Sequence, residues 1–183
     1  MKTWIYKDDL IPNEKECFDK LYKELNWYHA EKTVPRKEYY IHNDEYDYTY
    51  GTGKWARTYN SMLTHEIIEE IRKKLNDWLN VEFDVVFLNL YEDKKNHLGW
   101  HADDSPEMSN DHPIVTVSLG SEREIWFRKN ETKEIEKLNL KSGSACAMLA
   151  GMQKTHEHRI PKCHYDCEPR ISLTYRKYVK SVN

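Results

Sequence analysis

Residues 170–176 read Arg-Ile-Ser-Leu-Thr-Tyr-Arg, and their two-residue alternation governs how the rest of the chain is read. In an extended strand successive side chains point to opposite faces. Arg170, Ser172, Thr174 and Arg176 therefore share one face, and Ile171, Leu173 and Tyr175 the other. The apolar set asks for a core. The polar set carries two guanidinium groups, and two placements are open for it. One is an outer face in water, the ordinary place for arginine. The other is an inner face, where an unpaired charge is very costly and must meet a partner. A small dicarboxylate is such a partner, because arginine offers a forked pair of donors to each carboxylate.

Short strands continue upstream. The patterns at residues 83–91, 114–119, 124–128, 135–140 and 144–149 predict strands, with Asn130 and Ser142-Gly143 as turns between them, and the last strand runs over 170–178. The first half differs. Residues 14–27 carry Phe18, Leu21, Tyr22 and Leu25 at helical spacing. Residues 64–79 place Ile67, Ile68, Ile71, Leu75, Trp78 and Leu79 on one stripe, with Thr64 as N-cap. Between them, the tyrosine-rich residues 39–59, with turns at Gly51 and Gly53, read as hairpins and loops. Helices followed by closely spaced strands predict an α+β chain with a β-sandwich or barrel core. There is no repeat, low-complexity segment or linker, and 183 residues suit one domain with a real core.

Composition narrows the function. No run of about 18 apolar residues is present, which excludes a membrane helix, and the first residues lack a signal-peptide pattern. Four cysteines, Cys17, Cys146, Cys163 and Cys167, do not make a disulfide framework in a chain of this length. An intracellular location, cytoplasmic or nuclear, is expected, with reduced thiols. The net charge of −3 argues against a long phosphate-gripping surface. A small footprint is compatible with local cations such as Lys32, Arg36 and Lys37.

The second informative stretch is His101-Ala-Asp103. In an extended segment, residues two apart can point at one ion, and two imidazoles plus a carboxylate bind Fe(II) on one face with positions left open opposite. Among nine histidines the third ligand is selected as His158, with His156 and His164 as rivals. A zinc hydrolase can use the same donors, and Cys163, His164 and Cys167 invite a zinc reading but lack paired C-x-x-C spacing. Asn89 and Tyr91 form another i, i+2 pair just upstream.

Taken together, Asn89-Leu-Tyr91, His101-Ala-Asp103, His158 and the 170–176 run resemble the AlkB family of Fe(II)/2-oxoglutarate-dependent dioxygenases, which shows N-x-Y, H-x-D, a distal His and R-x-N-x-T-x-R in that order. The spacing from His158 to Arg170 is similar to the family's. Val34-Pro35-Arg36-Lys37, Tyr48-Thr49-Tyr50, the Asp103-Asp104 pair, Val117-Ser118-Leu119-Gly120 and Trp126-Phe127-Arg128 extend the likeness, which is greatest to the DNA-repair members and covers roughly residues 25–178. Ser172 departs from the family's Asn. The resemblance implies a double-stranded β-helix (jelly-roll) core behind N-terminal helices, one domain over 1–183, and a nucleotide-recognition lid over 27–60.

It implies Fe(II) on His101, Asp103 and His158, and 2-oxoglutarate as co-substrate. Its C1 carboxylate would meet Arg176 and Asn89, and its C5 carboxylate Arg170, Tyr91 and Ser172. Asp104, Arg36, Tyr48 and Tyr50 would meet the substrate, and Trp27-Tyr28-His29 is the nearest counterpart of the finger by which duplex-binding members enter the base stack. The expected activity is oxidative dealkylation of bases such as 1-methyladenine and 3-methylcytosine in DNA or RNA by a monomer, with release of succinate, CO₂ and an aldehyde. The same oxygenase chemistry on a free nucleotide or a protein side chain, a metal-dependent hydrolase and a non-catalytic nucleic-acid-binding domain are the alternatives.

Overall fold

The computed structural model describes residues 2–28, 35–50 and 56–179. Six strands, β1 (Trp4–Lys7), β10 (Ala145–Met148), β7 (Ile114–Gly120), β12 (Arg170–Arg176), β5 (Val85–Tyr91) and β2 (Lys37–His42), lie in that order in one antiparallel sheet. Four more, β6 (Leu98–His101), β11 (His156–Ile160), β8 (Arg123–Lys129) and β9 (Ile135–Leu140), make a second. From β5 onward the chain winds between the two, with β5, β7, β10 and β12 on one side and β6, β8, β9 and β11 on the other. Antiparallel strands shared in this way between two facing sheets make a jelly roll. A separate hairpin, β3 (Tyr48–Tyr50) with β4 (Arg57–Tyr59), stands in the tyrosine-rich region. Among the described residues no helix is long and apolar enough to cross a membrane.

Helices α1 (Glu14–Glu24) and α2 (Glu66–Leu79) cover the outer face of the six-stranded sheet. The stripe Ile67, Ile68, Ile71 and Leu75 of α2 is buried, and it packs with Leu21, Val86, Leu88, Val117, Ile171 and Leu173 into the larger core. The N-cap is His65 rather than Thr64. Its Nδ1 accepts from the Ile67 N–H at 3.2 Å, whereas the Thr64 hydroxyl donates to Glu69 Oε1 at 2.5 Å. Helix α1 stops before residue 27 because Leu25 turns extended. Tyr28 then exchanges backbone hydrogen bonds with Glu38 at 2.8 and 2.9 Å. Cys17 is buried on α1 while Tyr22 stays 39% exposed, so the helix is rotated from the stripe its aromatics suggest.

The strand 170–176 sits in the middle of this sheet, and neither of its faces meets water. Ile171, Leu173 and Tyr175 enter the helix-covered core, and Arg170, Ser172, Thr174 and Arg176 are buried on the opposite face, between the sheets. Register aligns Ser172 with Asn89 and Ser118, and Arg170 with Tyr91 and Gly120. A second apolar cluster, with Tyr91, Ile125, Phe127, Cys146 and Met148, fills part of the space between the sheets. The remainder is polar and holds the candidate site.

Gly120 marks the point where β7 leaves this register. Its φ of +89° is in the left-handed region, and an added Cβ would lie 2.5 Å from the Pro169 carbonyl oxygen and 2.8 Å from the Phe18 ring. Backbone cannot yield there as a flexible side chain can. Gly120→Ala is expected to lower unfolding free energy by about 2 kcal/mol or more, from strain plus overpacking. Urea denaturation checks this, and an unchanged midpoint would refute it.

Candidate active site

Three donors converge at one edge of the four-stranded sheet. His101 ends β6 and lies directly across from His158 on β11. The two imidazole rings are 4.2 Å apart, centroid to centroid. Asp103 lies beyond the end of β6 and not on the strand itself. Its loop is fixed by Gln153, whose Oε1 accepts from the Asp103 N–H at 2.9 Å. Asp103 Oδ1 is 3.6 Å from His101 Nε2, and Oδ2 is 3.7 Å from His158 Nε2. One donor atom from each residue falls within 4.8 Å of the others, the one such group of three among the described residues.

The protonation pattern suits a cation. The His101 Nδ1 lies 2.9 Å from the Gly99 carbonyl oxygen. That oxygen can only accept, so Nδ1 carries the proton and Nε2 presents its lone pair to the site. Burial pushes the His158 imidazole down to about 3, helped by the neighbouring His101 and opposed by Asp103. It is neutral near pH 7 and able to ligate. Burial disfavours charge on Asp103, but Arg176, His158 and His101 outweigh that and hold its carboxyl below the usual range. The Arg176 Nη2 donates to Asp103 Oδ1 at 2.7 Å. His156 points elsewhere, its Nδ1 meeting the Thr155 hydroxyl at 2.8 Å.

A cavity beside the triad is lined by Arg36, Glu38, Tyr48, Tyr50, Tyr59, Phe87, Asn89, Leu98, His101, Asp103 and Arg176. It thus brings together seven of the residues singled out in the sequence. Tyr91, Arg170 and Ser172 lie deeper between the sheets and do not line it. Asp104 is exposed and also lies outside the lining. Tyr48 is buried, hydrogen-bonded through its hydroxyl to Ser105 and stacked on Tyr59, whereas Tyr50 is 42% exposed. Glu38, Tyr59, Phe87 and Leu98 are lining residues that the sequence reading missed. Only Glu38 carries a signal, a carboxylate followed by two tyrosines in a strand-like run. Of Trp27-Tyr28-His29, His29 lies outside the described residues and Tyr28 is 58% exposed.

The deep arginine tests the fit to a dicarboxylate. Arg170 has no exposed surface. Its Nε donates to Ser118 Oγ at 2.8 Å, yet neither Nη has a hydrogen-bond partner. Burial pushes its guanidinium down to about 10, opposed by the facing Tyr91 and reinforced by the nearby Arg123. The Arg176 Nε is likewise buried without a partner. Native interiors rarely leave such donors unmet. Two fixed cations with idle donors next to a His/His/Asp set fit a metal-bound dicarboxylate.

A family model described as the 2OG-Fe(II) oxygenase superfamily matches residues 11–176. The chain belongs to that superfamily. Its co-substrate and metal are 2-oxoglutarate and Fe(II), for which His101, Asp103 and His158 form the candidate iron site. Within it the chain is similar to AlkB homologues. Human alpha-ketoglutarate-dependent dioxygenase alkB homolog 3 is 28% identical over 121 residues, 61% of this chain and 42% of that protein. Mouse DNA oxidative demethylase ALKBH2 is 28% identical over 158 residues, 79% of this chain and 62% of that protein. The chain thus spans about half the length of these curated relatives. The solved structure of OsALKBH1 superposes with a TM-score of 0.61 over 97% of this chain and 99% of its own, at 16% identity. At that identity the likeness speaks to the fold, and it matches the jelly roll described above.

Proposed function

We propose that the chain is an Fe(II)/2-oxoglutarate-dependent dioxygenase that removes alkyl groups from base nitrogens in nucleic acid, with 1-methyladenine and 3-methylcytosine as the model lesions. The observation that carries the reading is Arg170, a fully buried cation with two idle donor groups on the strand face shared with Arg176. A zinc hydrolase has no use for such a pair. Relatedness to a DNA oxidative demethylase supports the substrate class.

In this reading His101, Asp103 and His158 hold the metal. Arg176 and Asn89 take the C1 carboxylate of 2-oxoglutarate, and Arg170, Tyr91 and Ser172 the C5 carboxylate. Iron and 2-oxoglutarate, when bound, supply oxidising power from O₂, with succinate and CO₂ as co-products. Arg176 then exchanges its Asp103 partner for the co-substrate carboxylate. The partly apolar cavity would exclude water from the reacting carbon once a base fills its open side. Tyr48 and Tyr59 wall the cavity, and Tyr50 offers a ring at its mouth on which a flipped base can stack. Hydroxylation of the N-alkyl carbon gives an unstable hemiaminal on the substrate, which collapses to an aldehyde and the repaired base. Residues 27–60 act as the recognition lid of a single domain.

Asp104 is exposed, one residue past the metal-ligand candidate Asp103. Methylation of the ring nitrogen makes 1-methyladenine and 3-methylcytosine cationic, so a carboxylate there favours damaged over normal bases. Asp104→Ala is expected to lose about fivefold in kcat/KM preference for a methylated base, an exposed charge being worth about 1 kcal/mol. 2-Oxoglutarate turnover without nucleic acid should be unaltered. An unaltered preference would remove Asp104 from base recognition. The function itself is tested by adding Fe(II), 2-oxoglutarate and O₂ with methylated oligonucleotides, free nucleotides or peptides, and measuring succinate and formaldehyde. Equimolar formaldehyde from the oligonucleotides is expected. Its absence there, with release from another substrate, would reassign the substrate class.

A further inference from the structure

Glu38 is a carboxylate with only 1% of its surface exposed, in the wall of the candidate cavity. Both its oxygens are engaged. Oε1 accepts from Arg36 Nη2 at 2.8 Å, and Oε2 from Arg57 Nη2 at 2.6 Å. A buried carboxylate held by two guanidinium groups is stable only while both partners stay in place. Its position has a purpose because of where the two arginines lead.

Arg36 leads to Asn89, whose Oδ1 accepts from Arg36 Nε at 2.6 Å. Register aligns Glu38 with Asn89 across β2 and β5. A guanidinium can only donate, so the atom facing Arg36 must be the amide oxygen, and the Nδ2 edge is left for the cavity. A carboxylate can only accept, so this orientation is the one in which Asn89 can bind it. Arg57 leads the other way, onto β4 of the hairpin. Its guanidinium lies 5.0 Å from the centre of the Tyr59 ring, and Tyr59 and Tyr50 of the same hairpin line the cavity.

We propose that Glu38 is a positioning residue for the co-substrate and latches the β3–β4 hairpin to the Asn89 subsite. This rests on the 2-oxoglutarate reading given above. Glu38 fixes Arg36, Arg36 fixes the Asn89 amide, and Arg57 ties the hairpin to the same carboxylate. Substrate that holds the hairpin down therefore tightens 2-oxoglutarate binding, and by linkage the reverse holds equally.

The test titrates 2-oxoglutarate calorimetrically into the protein loaded with Mn(II), which supports no turnover. The wild type, Glu38→Gln and Arg57→Gln are compared, with and without a single-stranded oligonucleotide containing 1-methyladenine. Glu38→Gln is expected to bind 2-oxoglutarate about tenfold more weakly with Mn(II) affinity retained, the size of one lost positioned hydrogen bond. In the wild type the oligonucleotide should tighten 2-oxoglutarate by about fivefold, and Arg57→Gln should abolish that gain. Arg57 is 34% exposed on its side chain, so it carries the test even if Glu38→Gln does not fold. Equal 2-oxoglutarate affinity in folded Glu38→Gln, or a gain that is absent from wild type or persists in Arg57→Gln, overturns the latch. A wild type that binds no 2-oxoglutarate would instead refute the parent reading.

Discussion

His101→Ala is expected to cut iron-dependent succinate formation by about 10³-fold or more, the usual scale for removing one member of a catalytic unit. The fold should survive, because the His101 side chain is 17% exposed and ends an edge strand. Removing it deletes the imidazole at the mouth of the metal site and leaves no buried group without a partner. Asp103→Ala should lose the same activity but also stability. The Asp103 carboxylate is the anion that Arg176 meets at 2.7 Å, and both are buried. Breaking a buried pair on one side typically costs about 3–5 kcal/mol. Thermal unfolding of the metal-free variants should therefore separate them, with Asp103→Ala well below His101→Ala. Succinate formation at the wild-type rate by His101→Ala would remove this residue from the iron site.

The contrast between these ligands shows what the sequence could and could not convey. The i, i+2 spacing of His101 and Asp103 suggests a strand, yet only His101 is on one. Asp103 is aimed by a loop that Gln153 holds from 50 residues away, a contact with no local signature. The third ligand candidate, His158, was selectable from its spacing to Arg170, but its cross-strand pairing with His101 is a long-range fact. Both strands were hard to see. β6 is four residues long and contains Gly99, and β11 reads His-Glu-His-Arg-Ile, polar enough to pass for a loop. By contrast, β12, β5, β7 and helix α2 carry strong periodicity because one or both faces are buried, so their patterns were legible. Glu38 was missed for the same reason as Gln153, since its partner Arg57 comes from the separate β3–β4 hairpin, 19 residues away. Arg36, read as a lid residue, in fact reaches down to Asn89.

Arg170 should respond to mutation in two directions at once. In a well-paired core an arginine replaced by methionine loses stability. Here the guanidinium is fully buried, one nitrogen donates to Ser118, and the guanidinium faces the Tyr91 ring at 5.3 Å, while the two terminal nitrogens reach no anion. The ligand-free protein therefore bears most of the desolvation cost without the compensating pair, which is why burial pushes this guanidinium down to about 10. Methionine is similar in length, apolar, and adaptable enough to fill the space under Tyr91. Arg170→Met is expected to leave the ligand-free protein as stable as wild type or more stable by about 1 kcal/mol. The same change should weaken 2-oxoglutarate by about 10²-fold or more, because the C5 carboxylate would then be buried without its cation. Urea midpoints in the absence of ligand and 2-oxoglutarate titration on the Mn(II)-loaded protein measure the two effects separately. A variant that is destabilised and binds 2-oxoglutarate normally would make Arg170 a structural residue and take the dicarboxylate away from this strand. Opposite signs in the two measurements would mean that an unfavourable burial in the folded chain persists because a ligand resolves it.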